Sequence, residues 1–128
     1  MSLEVVGLDK CGLTKEEVSR AFAAVVELAI ELGWDVPDYV LLIFAGDEAE
    51  YRAFRGEEFL ELEDGLLVRD GVALVVLGSL LPNVLLDRLF LGFLAVFYYE
   101  TFRKLSPEVL KELVREKYMR LLSSTYGK

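Results

Sequence analysis

Phe59-Leu-Glu-Leu-Glu-Asp-Gly-Leu-Leu-Val-Arg-Asp-Gly-Val-Ala-Leu-Val-Val-Leu77 decides the fold class. Two Asp-Gly pairs, Asp64-Gly65 and Asp70-Gly71, cut it into three short apolar segments. Asp-Gly supplies the positive φ angles that tight hairpins require. The spacing predicts three strands, Phe59–Glu63, Leu66–Arg69 and Val72–Leu77, in an antiparallel meander. The last carries no polar residue, which predicts burial on both faces.

Upstream, Tyr39-Val-Leu-Leu-Ile-Phe44 is another unbroken β-forming run, read as a strand covered on both faces and ended by Gly46. Asp47 is placed to cap a short helix reaching about Phe54, with Glu50 at the capping-box position. Earlier still, Thr14-Lys-Glu-Glu17 is a capping-box sequence, and Val18, Phe22, Val25, Ala29 and Leu32 follow at helical spacing. Gly33 is suited to end that helix, predicted over about 14–32. Downstream, 78–83 reads as a loop and Val84 to Lys104 as a long helix, apolar almost all round between Leu89 and Tyr99. Ser106-Pro107-Glu108 starts a last helix, with Leu110, Leu113, Val114, Lys117 and Leu121 on one face and a frayed tail from Ser123. The expected fold is α+β: a first long helix, a mixed sheet of about four strands containing the meander, and two C-terminal helices, with helices on one side. No repeat or linker divides the chain, so 1–128 is expected to be one domain with an ordered core of about 14–122.

Composition narrows function mainly by exclusion. The chain has no histidine, which removes imidazole acid–base steps, the usual catalytic triads and the common zinc sites. Cys11 is the sole cysteine, so no internal disulfide forms. A net charge of -8 disfavours nucleic acid and anionic membrane surfaces as partners. Leu80 to Phe102 is very apolar, but Asp87 and Arg88 interrupt it. Its charge-free part, Leu89 to Tyr99, rises only about 16 Å as a helix, too short for a bilayer. Met1 to Lys10 lacks a basic segment followed by an apolar one, and a cytoplasmic location is expected by default. Hydrophobic (54%) and charged (28%) fractions are both high, a composition seen in thermophile proteins. No glycine-rich phosphate loop is present.

Carboxylates remain. Glu57, Glu58, Glu61, Glu63 and Asp64 form an acidic run, in which a regular strand puts Glu61 and Glu63 on one face and Glu58 on the other. A solvated, edge-protecting face explains this run better than a metal site. Glu100 closes the most apolar part of the chain and has Arg103 and Lys104 within one helical turn. It is either a paired rim residue or the polar floor of a cleft, and Tyr99, Arg52 and Arg55 are the companions for such a cleft.

The element order resembles the zincin-like fold of metallopeptidases. Val40-Leu-Leu-Ile-Phe-Ala-Gly-Asp-Glu-Ala-Glu-Tyr51 resembles the strand and short helix of those domains. Gly71-Val-Ala-Leu-Val-Val-Leu77 and Leu80-Leu-Pro-Asn83 resemble the strand and loop before the catalytic helix, and Leu89-Phe-Leu-Gly-Phe-Leu-Ala95 its apolar approach. The resemblance covers about 14–122 and rests on hydrophobic pattern and element order. It puts Val96 and Glu100 at the two histidine positions of HExxH and Phe97 at the glutamate. It implies a relative whose metal site has been replaced by core, with no catalytic residue, metal or cofactor. Three function classes stay open. The favoured one is a non-catalytic interaction module, with Phe90, Phe93, Phe97 and Tyr98 facing a protein partner or a second copy in a homodimer. The others are a carboxylate-dependent enzyme using a divalent cation, and a binder of small apolar ligands.

Overall fold

A computed structural model describes residues 2–56, 58–69, 72–97 and 106–126. The element order is β1 (Ser2–Val6), a 3-10 turn (Leu8–Lys10), α1 (Lys15–Glu31), β2 (Tyr39–Ala45), α2 (Glu48–Ala53), β3 (Leu60–Glu63), β4 (Leu66–Arg69), β5 (Ala73–Leu77), α3 (Pro82–Phe97) and α4 (Pro107–Tyr126). The strands form one mixed sheet in the order β1-β2-β5-β4-β3. β1, β2 and β5 are parallel, and β5, β4 and β3 form the antiparallel meander. The fold is α+β, as expected, with five strands rather than about four. The additional strand is β1, which lies outside the expected core of 14–122. Leu3 and Val5 alternate with Ser2 and Glu4 there, a period-two signal only five residues long.

The helix ends follow local chemistry. Thr14 accepts from the Glu17 backbone N–H, and the Glu17 carboxylate accepts from that of Thr14, so the capping box is complete. At the other end Gly33 adopts φ +72°. Trp34 N–H donates to Ala29 O and Gly33 N–H to Ile30 O, the paired bonds of a Schellman ending. Asp47 caps α2 through the Glu50 N–H. Glu50 does not complete a box: its carboxylate accepts from Gly46 N–H and from the Lys10 ammonium. α3 begins at Pro82, inside the predicted loop, because Leu81 O accepts the first helical bond and proline fits the first turn. α4 continues to Tyr126, beyond the predicted fraying at Ser123.

Strand alternation divides the core. Val40, Leu42 and Phe44 of β2, Leu66 and Val68 of β4, and Leu74 and Val76 of β5 point to the main core, with the buried faces of α1, α3 and α4. Ala45, Leu67, Val75 and Leu77 point the other way and meet only Tyr51 of α2, with Ile43, Phe54, Phe59 and Leu80 at the rim. So α2 lies opposite the other three described helices, which corrects the expectation of helices on one side. β5 is buried on both faces as expected, whereas β2 is not: Tyr39 is exposed and Leu41 and Ile43 are half-buried, because α2 covers only the far end of that face.

The first hairpin also departs from expectation. Among the described residues only glycines have positive φ, so Asp64-Gly65 contributes one such residue, Gly65, instead of two. The register shifts between Glu61 and Glu63, a β-bulge that takes up the difference. Asp70 and Gly71 lie outside the described residues, while the strands that they join pair as predicted.

Candidate functional site

Of the four residues expected to line a cleft, Arg52 and Arg55 lie among the described residues, and each is in an ion pair. Tyr98, Tyr99, Glu100, Arg103 and Lys104 lie outside the described residues, as does Glu57. Arg52 is exposed and pairs with Glu48 one turn earlier, at 3.6 Å. Arg55 Nη2 donates to Glu61 Oε2 at 2.7 Å, and its guanidinium lies 5.5 Å from the centre of the Tyr51 ring. The interface expected at Phe90, Phe93 and Phe97 is corrected: these rings are 3%, 0% and 6% exposed. Phe93 and Phe97 meet the edge of Phe22 from α1, and Phe90 meets Tyr118 from α4. The helix looked over-apolar because its cover comes from α1, α4 and the sheet together. Val96, at the first histidine position of the zincin comparison, is likewise core.

The acidic run is split by the bulge. Glu61 turns toward α2, accepting from the Tyr51 hydroxyl at 2.7 Å and from Arg55, whereas Glu63 pairs with Arg88 of α3 at 3.1 Å. The expectation that Glu61 and Glu63 share a face fails because one extra residue reverses the alternation. Glu58 pairs with Arg69 at 3.4 Å. Burial first, and then the Glu61 hydrogen bond, push the Tyr51 hydroxyl well above its ordinary range. The Tyr51 hydrogen bond, followed by that of Arg55, holds Glu61 below the usual carboxylate range. A neutral phenol on a paired carboxylate is a structural clasp at neutral pH and offers neither a general base nor an open ligand position. Among the described residues, no three Cys, Asp or Glu side chains are grouped to hold a metal ion.

In parallel sheets, ligands commonly bind at the carboxyl ends of the strands. Here a glycine follows each parallel strand: Gly7 after β1, Gly46 after β2 and Gly78 after β5. Chain fills that rim. Gly78 N–H donates to Ala45 O at 2.7 Å, and a Cβ on Gly78 would lie 2.3 Å from Lys10 O. The Glu50 carboxylate occupies the Gly46 N–H and the Lys10 ammonium, which lowers its pKa and raises that of Lys10.

One open feature lies at the side of the sheet, and two others of about 560 Å³ lie against α4. Among the described residues β1 pairs with β2 alone. Ser2 N–H donates to Asp38 O at 2.8 Å, so by the alternation of a parallel ladder Ser2, Glu4 and Val6 turn their backbone groups to β2. Leu3 and Val5 turn theirs outward. Beside this edge lies a groove of about 580 Å³ between β1 and α1, walled by Leu3, Val5, Leu8 and Phe22, with Glu4, Lys15 and Ser19 at its borders. Lys15, Ser19 and Phe22 are one stripe of α1, since residues four and then three apart stack on a helix. The sequence reading named none of these residues for a site. The signal available was the alternation of Leu3 and Val5 together with that stripe.

Comparison with protein-family models, with curated proteins and with solved structures finds no match. No described helix is long and apolar enough to cross a membrane.

Proposed function

We propose that this chain is a non-catalytic interaction module, and that an extended segment of a protein partner docks on it by adding a strand to the free edge of β1. One observation carries the reading: the outward N–H and C=O groups of Leu3 and Val5 run beside an apolar groove. Main-chain bonds supply affinity in strand addition, and pockets for alternate side chains supply selectivity. The zincin resemblance enters this reading as ancestry, with Val96 and Phe97 as packing groups in place of a metal site. The carboxylate-enzyme alternative receives less support, because Arg52 and Arg55 are engaged by Glu48 and Glu61.

The test is selection of displayed random heptapeptides on the wild-type protein and on Val5→Pro. Proline at position 5 removes an outward N–H and spares the ladder to β2. Peptides that enrich on the wild type and fail to bind Val5→Pro are expected, with matching thermal melts as the folding control. Enriched peptides that bind both proteins equally would overturn the edge as the docking site.

A further inference from the structure

The edge of β1 also specifies what kind of strand it takes. We infer that it selects an extended peptide that alternates apolar side chains into the groove, carries a basic side chain on the opposite face between them, and has a carboxylate at the α1 end. This inference rests on the docking reading above.

The two faces of an added strand meet different charges. On the groove side its side chains face Leu3, Val5 and Phe22. β1 and β2 are parallel, so α1, which connects them, runs back against β1, and its first residue lies at the carboxyl end of that strand. That residue is Lys15, exposed and without an ion pair among the described residues. A lysine in the first turn faces the positive end of the helix dipole, which an approaching anion relieves. On the other face, Glu4 is exposed and is held in place by the Tyr39 hydroxyl. Its backbone turns inward, which makes it a non-hydrogen-bonded neighbour of the residue directly opposite it on an antiparallel added strand, the pairing in which side chains come closest.

A second copy of the chain fits less well. Two β1 strands paired antiparallel about their centre set Glu4 against Glu4, and like charges directly opposite destabilise a sheet. Each copy also brings a net charge of -8. A segment with a basic residue at that position turns the same contact favourable.

The probe is the blocked peptide Glu-Thr-Val-Arg-Val-Thr-Glu, which presents the same pattern in both strand directions. Its control is Lys-Thr-Val-Glu-Val-Thr-Lys. Fluorescence anisotropy on the full chain is expected to show the first binding about ten-fold more tightly than the second, the sum of a few cross-strand charge pairs. Lys15→Glu is expected to narrow that ratio. Two further versions of the first peptide are N-methylated at alternate residues, one for each possible set. Strand addition predicts that one set abolishes binding and the other leaves it, with no change to the protein. Equal binding of the two charge patterns, still lost with one methylated set, would overturn this inference and leave the edge reading standing. Binding insensitive to both methylated sets, or no binding by either peptide, would overturn both. A wild-type dimer in sedimentation that Val5→Pro converts to monomer would show that a second copy takes the place assigned here to the peptide.

Discussion

The two edges of the sheet are built on opposite plans. β3 is four residues long, is interrupted by a bulge, and carries Glu61 and Glu63, both in ion pairs with basic side chains from elsewhere in the chain. Bulges, charges and short length are the devices by which natural sheets keep an edge from pairing with another chain. β1 has no bulge and a single charge: its register with β2 is unbroken over five residues, and Glu4 is its one ionised residue. One edge is therefore blocked by features that the other lacks, and the unblocked one is bordered by a groove. That contrast, more than the content of either edge, is what supports a docking role for β1.

The comparison breaks first at Gly7, which lets β1 turn into the 3-10 segment. Gly7 has φ +78°, and an added Cβ would lie 2.5 Å from Phe44 O. Gly7→Ala is expected to lower unfolding free energy by about 3 kcal/mol in urea titration, since it combines an unfavourable backbone region with a backbone clash. A loss of under about 0.5 kcal/mol, the scale of an ordinary surface change, would show that β1 is only loosely tied to the sheet.

Tyr51→Phe probes the blocked edge. It removes a hydrogen bond to a carboxylate, and a loss of about 1.5 kcal/mol is expected at neutral pH. The pH dependence has a defined sign at each end. Glu61 is depressed, so its contribution holds above the ordinary carboxylate range and fades as pH falls through its lowered value. Tyr51 is raised, so its contribution holds below its ordinary value of 10.0 and fades as pH rises through the higher one. The melting temperatures of wild type and Tyr51→Phe should therefore lie furthest apart near neutrality and converge in acid and in strong alkali. A gap that stays constant with pH would remove the clasp from the account of β3. The smallest effect is expected from Glu58→Gln, whose partner Arg69 is similarly solvated: under about 0.5 kcal/mol by denaturation.

What was legible in the sequence was what short-range chemistry controls. The Thr14 capping box, the Asp47 cap, the Gly33 ending and the three meander strands all depend on residues a few positions apart. What was not legible depends on partners far along the chain. The bulge becomes visible only when Tyr51 and Arg55 take Glu61 while Arg88 takes Glu63. The face chosen by α2 decides that Leu41 and Ile43 stay half-open, and an unbroken apolar run carries no mark of that. The cover over Phe90 and Phe93 comes from Tyr118 and Phe22, so counting apolar residues on one helix mistook core for interface. β1 is not legible in the sequence because five alternating residues are a weak signal until β2 lies beside them. The groove needs β1 and α1 together, so Lys15 and Phe22 read only as helix residues.

The packing around Gly78 bears on how the molecule comes apart. Backbone from Lys10, Ala45 and Gly78 meets there with no room for a side chain, joining points far apart along the chain. Such a junction closes late in folding, since distant segments must already be in place. It also opens only when they part, which ties the first strand to the rest of the sheet. In native-state hydrogen exchange, the Gly78 amide should exchange at the rate of whole-molecule unfolding, and the amides of Glu4 and Val6 should follow it closely.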